Sequence, residues 1–152
     1  MSQSAPTVFA MSITASSEGE VQISVPAGRF RDADGNDNLA CSVFSWTYDT
    51  TKPTCGTTGG GVTNGGSTSS NPIVCTFDWD EPVTGFTSGD VVCGNGTISD
   101  FTQVSSTQWT CNVTASGPGV VSISIPSSSV TDDAGNANST TGQFLYTYTS
   151  VE

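Results

Sequence analysis

The chain of 152 residues has no histidine and only three basic residues against 14 acidic ones. Without histidine there is no Ser–His–Asp or Cys–His catalysis, and the commonest general base and zinc ligand are missing. A formal net charge of −11 argues against nucleic acid or anionic lipid as a partner, since both call for basic surface. Charge of either sign is scarce at 11%, and the hydrophobic share of 34% is below the usual range. No apolar run approaches the roughly 18 residues that cross a bilayer, so no membrane insertion is expected in this segment. The opening MSQSAPTVFAMS lacks the basic and apolar regions of a signal peptide, so any targeting segment is expected outside it. No stretch sustains a period near 3.6 residues, which predicts almost no helix. What fills the chain instead is 46 Ser and Thr and 17 Gly.

An ungapped internal repeat sets the organisation. Residues 8–48 overlie 108–148 at an offset of 100 with 15 identities in 41 positions. TASSEGEVQISVPAG lies over TASGPGVVSISIPSS, RDADGNDN over TDDAGNAN, and FSWTY over FLYTY. The chain therefore reads as a tandem array with units about 100 residues long. Residues 1–49 hold the second half of one unit, 50–149 a complete one, and 150–152 the start of a linker.

Within a unit the apolar period is two. Val121, Ile123 and Ile125 alternate with Ser122 and Ser124, as Val21, Ile23 and Val25 do with Gln22 and Ser24. Ile73, Cys75, Phe77 and Trp79 share a face, as do Trp109, Cys111 and Val113, and Phe144, Tyr146 and Tyr148. In the half unit the same pattern predicts strands over 9–15, 19–26 and 40–48. Six to eight short strands in about 100 residues predict an all-β fold of immunoglobulin-like β-sandwich repeats in tandem, with a barrel or jelly roll as the alternative. The Gly-rich stretch 56–71 falls between two strands of one unit and reads as a long loop inside the domain rather than as a linker.

The runs DTTKPT, DEPVTGFTSGDVVCGNGTISDFT, WTCNVTASGPGVVSISIP and DDAGNAN resemble the bacterial Ig-like repeats of large extracellular surface adhesins and stalk proteins. The resemblance implies tandem sandwiches in an extracellular stalk, often with calcium near the domain junctions. The residues offer such a cation hard oxygen ligands: Asp32, Asp34, Asn36 and Asn38 alternate along DADGNDN with Gly35 permitting a tight turn, and Asp132 and Asn136 stand in the later copy. No bidentate Glu stands at EF-hand spacing. A junctional site would gather Asp49, Asp80, Glu81, Asp132 and Asn136. The same Asp and Asn residues equally suit turn capping through their own backbone.

Cys55, Cys75, Cys93 and Cys111 fall in the complete unit and suggest two disulfides, with Cys55–Cys75 and Cys93–Cys111 preferred among three pairings. Buried free thiols are the alternative. Cys41 overlies Thr141 and has no equivalent partner. Three sequons, at Asn95, Asn112 and Asn138, are candidate glycosylation sites. Asp78, Asp80 and Glu81 offer carboxylates but no nucleophile–base pair, so no enzyme is expected. The function expected is a structural repeat of an extracellular or cell-surface stalk, adhesin or filament. Its partners would be neighbouring copies or repeats, joined by strand complementation, because the half unit alone leaves an apolar face and strand edges bare. The alternative is a recognition module that binds a surface glycan or another ligand through its loops.

Overall fold

The computed structural model describes residues 8–150. The chain divides into two compact units, 1–49 and 50–152. The described residues of the first contain two strands, β1 (Gly19–Ile23) and β2 (Phe44–Tyr48). The second contains eight: β3 (Cys55–Gly59), β4 (Ser67–Thr68), β5 (Ile73–Trp79), β6 (Val92–Gly94), β7 (Gly96–Gln103), β8 (Gln108–Ala115), β9 (Gly119–Ser124) and β10 (Phe144–Tyr148). A single 3-10 turn, Ser88–Asp90, is the only helical element among the described residues.

In the second unit the strands form two four-stranded sheets, ordered β4-β10-β9-β6 and β3-β5-β8-β7. All neighbours run antiparallel except β4, which lies parallel to β10. The alternation of apolar and polar residues turns one face of each sheet inward. Cys75, Phe77, Trp79, Trp109, Cys111 and Val113 from one sheet meet Val121, Ile123, Phe144 and Tyr146 from the other in a single core. The result is a β-sandwich, with neither the closed sheet of a barrel nor one continuous ladder. Phe86, between strands, seals one region of it. Its ring packs edge-on against Phe77, Trp79, Phe101 and Trp109 at centroid distances of 5.5, 5.4, 5.2 and 5.4 Å. Such contacts add about 0.5–1.5 kcal/mol each beyond the area they bury. The sheets approach so closely at Gly59 that a Cβ there would stand 2.6 Å from the Phe144 ring.

The exposed edge strand β7 is interrupted by a bulge between Ser99 and Thr102, with Asp100 at φ 52°. A bulge and an acidic side chain at an edge discourage pairing with another chain. The Gly-rich stretch 56–71 is more ordered than its composition suggests. Its first part belongs to β3, Val62 is buried, and the Asn64 side chain accepts from Leu145 N–H and donates to the Gln143 carbonyl.

The repeat recurs bond for bond. Val21 pairs with Trp46 and Ile23 with Phe44, as Val121 pairs with Tyr146 and Ile123 with Phe144. One part of the expected pattern does not form: no strand covers residues 9–15, whose counterparts make up β8. β8 lies between β5 and β7 and draws its ladder from both. Among the described residues the first unit has no such neighbours, and a segment with no ladder to join is not a strand. β1 and β2 are likewise shorter than expected, ending at Ile23 and beginning at Phe44.

Candidate functional site

The loop between β9 and β10 is built by two side chains. Asp132 accepts the Asn136 N–H on Oδ1 at 2.8 Å and the Asn136 amide on Oδ2 at 2.8 Å. Backbone bonds from Asp132 N–H to Asn136 and from Gly135 N–H to Asp132 close the turn, with Gly135 at φ 92°, where a Cβ would be strained. Asp132 is buried. Burial pushes its carboxyl pKa up, yet the bonds from the Asn136 side chain and from the backbone of Asn136, Gly135 and Ala134 outweigh this and hold it below the usual value. The carboxylate is thus kept ionised beneath the surface.

Two further acids converge there. Asp49, Glu81 and Asp132 place carboxylate oxygens within 4.8 Å of one another. Three hard, anionic oxygens at that spacing are the donor chemistry calcium takes, and they suit neither a soft metal nor a zinc centre built on thiolate and imidazole. Of the residues singled out from sequence, these three come together and Asn136 orients one of them. Asp80 does not join them: its carboxylate accepts from Thr54 N–H and Thr54 Oγ1, both at 2.8 Å, and ties β3 to the end of β5. Asp32 and Asn36 reproduce the turn in the first unit, at 2.9 Å for both contacts, and Asp34 contributes its N–H to Asp32. The Asn36 side chain, followed by its backbone, holds the Asp32 carboxyl below the usual value. Among the described residues no second group of three acids forms around Asp32.

The cysteines are all free thiols in this structure. Cys55 lies opposite Trp79, whereas Cys75 lies opposite Gly59, about 13 Å further along the ladder. The Cys55–Cys75 pairing expected from sequence therefore does not fit, because a disulfide spans at most ~7 Å between Cα atoms. Cys75 instead faces Cys111 across β5 and β8. Burial pushes the Cys75 and Cys55 thiols up to about 12 and Cys111 to about 11. Cys41 has a structural role: its Sγ accepts the Val25 N–H at 3.0 Å, as Thr141 Oγ1 accepts the Ile125 N–H at 2.9 Å.

The sequons separate in the same way. Asn95 is exposed, and Asn112 donates to Asp100 at 2.7 Å on an outer face. Asn138, at 2% exposure, has its amide buried. Its Oδ1 accepts from Ser129 and Val130 N–H, and its Nδ2 donates to the Pro126 and Ser139 carbonyls. A glycan on that nitrogen is incompatible with the folded unit, which corrects the sequence expectation. Asn38 makes the same four bonds in the first unit. This structural Asn was the residue sequence reasoning undervalued; its identity in both copies was the available signal.

A profile of the bacterial Ig-like domain matches residues 49–148. The chain belongs to the bacterial Ig-like domain family. The match begins at Asp49, so all three converging acids lie within the matched residues. Neither the comparison with curated proteins nor that with solved structures finds a match. Ig-like domains of this kind are generally non-enzymatic and act as structural repeats. Among the described residues no helix is long and apolar enough to cross a membrane.

Proposed function

We propose that the chain is a structural segment of an extracellular surface stalk, adhesin or filament, built from Ig-like repeats that associate with neighbouring repeats. The observation that carries this reading is the recurrence, at an offset of 100 residues, of ladder register, loop bonds and the buried-Asn lock. A unit that repeats its framework bond for bond reproduces spacing; a unit evolved around one ligand need not be copied. The glycan-binding reading finds less support in the complete unit, where Trp79, Trp109 and Tyr146 are spent in the core.

In this reading Asp49, Glu81 and Asp132 hold a calcium ion, which neutralises three like charges brought together at the domain's end. Asn95 and Asn112 remain the glycan acceptors if the protein is glycosylated. Any disulfide draws on Cys75, Cys93 and Cys111, which lie near one another in the core, and leaves Cys55 as a thiol. The test of the structural role is physical. Arrays of one, two and four copies of 49–148 should lengthen by a constant increment per copy in small-angle scattering. An increment that vanishes, with arrays collapsing to compact particles, would overturn the reading.

A further inference from the structure

The first unit carries a groove of about 1120 Å³ lined by Phe9, Met11, Val25 and Phe30, with Asp32 and Asn36 at its polar end. Phe9 is 84% exposed, Met11 77% and Phe30 61%. Their counterparts at the offset of 100 are Trp109, Cys111 and Val130, at 4%, 1% and 3%. The same positions are therefore core in one copy and surface in the other, and the second unit shows what makes the difference. There, the segment Glu81–Phe86 (EPVTGF) lies over this site. Thr84 and Thr131 exchange backbone bonds of 2.8 and 3.3 Å, and the Phe86 ring packs edge-on against Trp109 at 5.4 Å. Glu81 brings its carboxylate beside Asp132.

We infer that the groove of the first unit is a receptor for an EPVTGF-type segment from the front half of another repeat of the same kind. The segment's Phe would pack on Phe9 as Phe86 packs on Trp109. Its Thr would pair with the backbone of Arg31, which stands where Thr131 stands. Two of the chain's three basic residues, Arg29 and Arg31, stand in this loop where the complete unit has Ser129 and Thr131, but Arg31 is paired with Asp37 at 2.6 Å and the loop also holds Asp32 and Asp34. The occupant is therefore set by the match of positions with the second unit and not by charge.

This inference rests on the repeat reading above, but its test is separate. The full chain is titrated with the synthetic peptide 78–90 and followed by NMR shifts. In parallel, a second copy of 50–107 is joined ahead of residue 8, and hydrogen exchange is measured. Shifts confined to the groove, together with protection of 19–23 and 44–48 rising to that of 119–124 and 144–148, are expected. Phe86→Ala in the peptide or in the added copy should weaken the effect about a hundredfold. Phe30→Ala in the full chain should weaken peptide binding while leaving 50–148 unchanged. An 8–48 region that stays unprotected in the extended chain overturns the inference. So does self-association of 1–152 through the groove that the peptide does not compete away. Arrays that lengthen regularly while both probes fail would sink this inference and leave the structural role standing.

Discussion

Side chains that bond to their own loops carry much of this fold. Asn138 satisfies two N–H groups and two carbonyls of the turn leading into β10 while being nearly inaccessible. Removing its amide strands those groups where water does not reach, and a buried unsatisfied group costs roughly 1–3 kcal/mol. Asn138→Ala should therefore lower the stability of the second unit by about 3 kcal/mol in urea unfolding; a loss below about 1 kcal/mol would show that the loop re-satisfies itself. Asn38→Ala should cost less, because Asn38 is only half-buried. One position runs the other way. Ser128 sits at φ 61°, where the earlier copy has Gly28 at φ 70°. A left-handed backbone disfavours a Cβ by about 1–2 kcal/mol, offset in part by the greater freedom of an unfolded glycine. Ser128→Gly should raise stability by roughly 0.5–1 kcal/mol. An unchanged unfolding midpoint would mean that the serine hydroxyl compensates. Both residues were visible in the aligned copies, but a carbonyl or N–H partner four or more positions away is set by turn geometry, which composition does not encode.

At the level of strands, period-two alternation located the ladders that are buried on one face. β5, β8, β9 and β10 read directly from it, because each must bury alternate residues against the opposing sheet. Three features stayed hidden. β4 has two residues and pairs parallel to β10 across more than 75 positions of sequence. Residues 9–15 carry the pattern of β8 but have no neighbouring strand. Register decided the cysteines, since alternation tells which face a thiol occupies and not which residue stands opposite. Trp79 N–H donates to the Thr107 carbonyl at 2.8 Å, which fixes the phase of the β5–β8 ladder. Cys75 and Cys111, four residues along on each strand, then form a hydrogen-bonded pair, with Cα atoms about 5.5 Å apart and side chains more separated than in the alternate pairs. With Cys55 out of reach of Cys75, and Cys93 and Cys111 lying beside Cys75, the second unit accommodates one disulfide at most. Peptide mapping of the unreduced protein should find Cys41 and Cys55 as thiols together with at least one of Cys75, Cys93 and Cys111. Recovery of a Cys55–Cys75 peptide would show that the β3–β5 register is wrong.

For the chain as a whole, charge is the dominant constraint. A net −11 opposes any gathering of acids, yet Asp49, Glu81 and Asp132 converge within 4.8 Å, and Asp132 is held ionised by its bonds to Asn136. Like charges so placed repel unless a cation screens them, and three oxygens leave a flexible cation such as calcium free to complete its shell from backbone or water. An ion that binds only the folded domain stabilises it by mass action, by about 2.7 kcal/mol at a hundred times its dissociation constant. Calcium should therefore raise the unfolding temperature of 49–148 and a chelator should lower it, with magnesium the poorer substitute because it demands a rigid octahedral shell. The pH dependence has a definite sign. Asp132 has a folded pKa below its unfolded value of about 3.8, so its contribution is complete above the unfolded value. It fades as pH falls through the folded value, and the calcium effect should fade with it. Asp132→Asn keeps the outline of the side chain and removes one charge, at the cost of one of its two bonds from Asn136, because its NH2 then faces a donor. That variant should lose most of the calcium response and remain folded, with its acid limb flattened. If calcium and chelator give the same unfolding temperature in the parent at neutral pH, the three carboxylates are a capped and solvated corner of the domain and hold no ion.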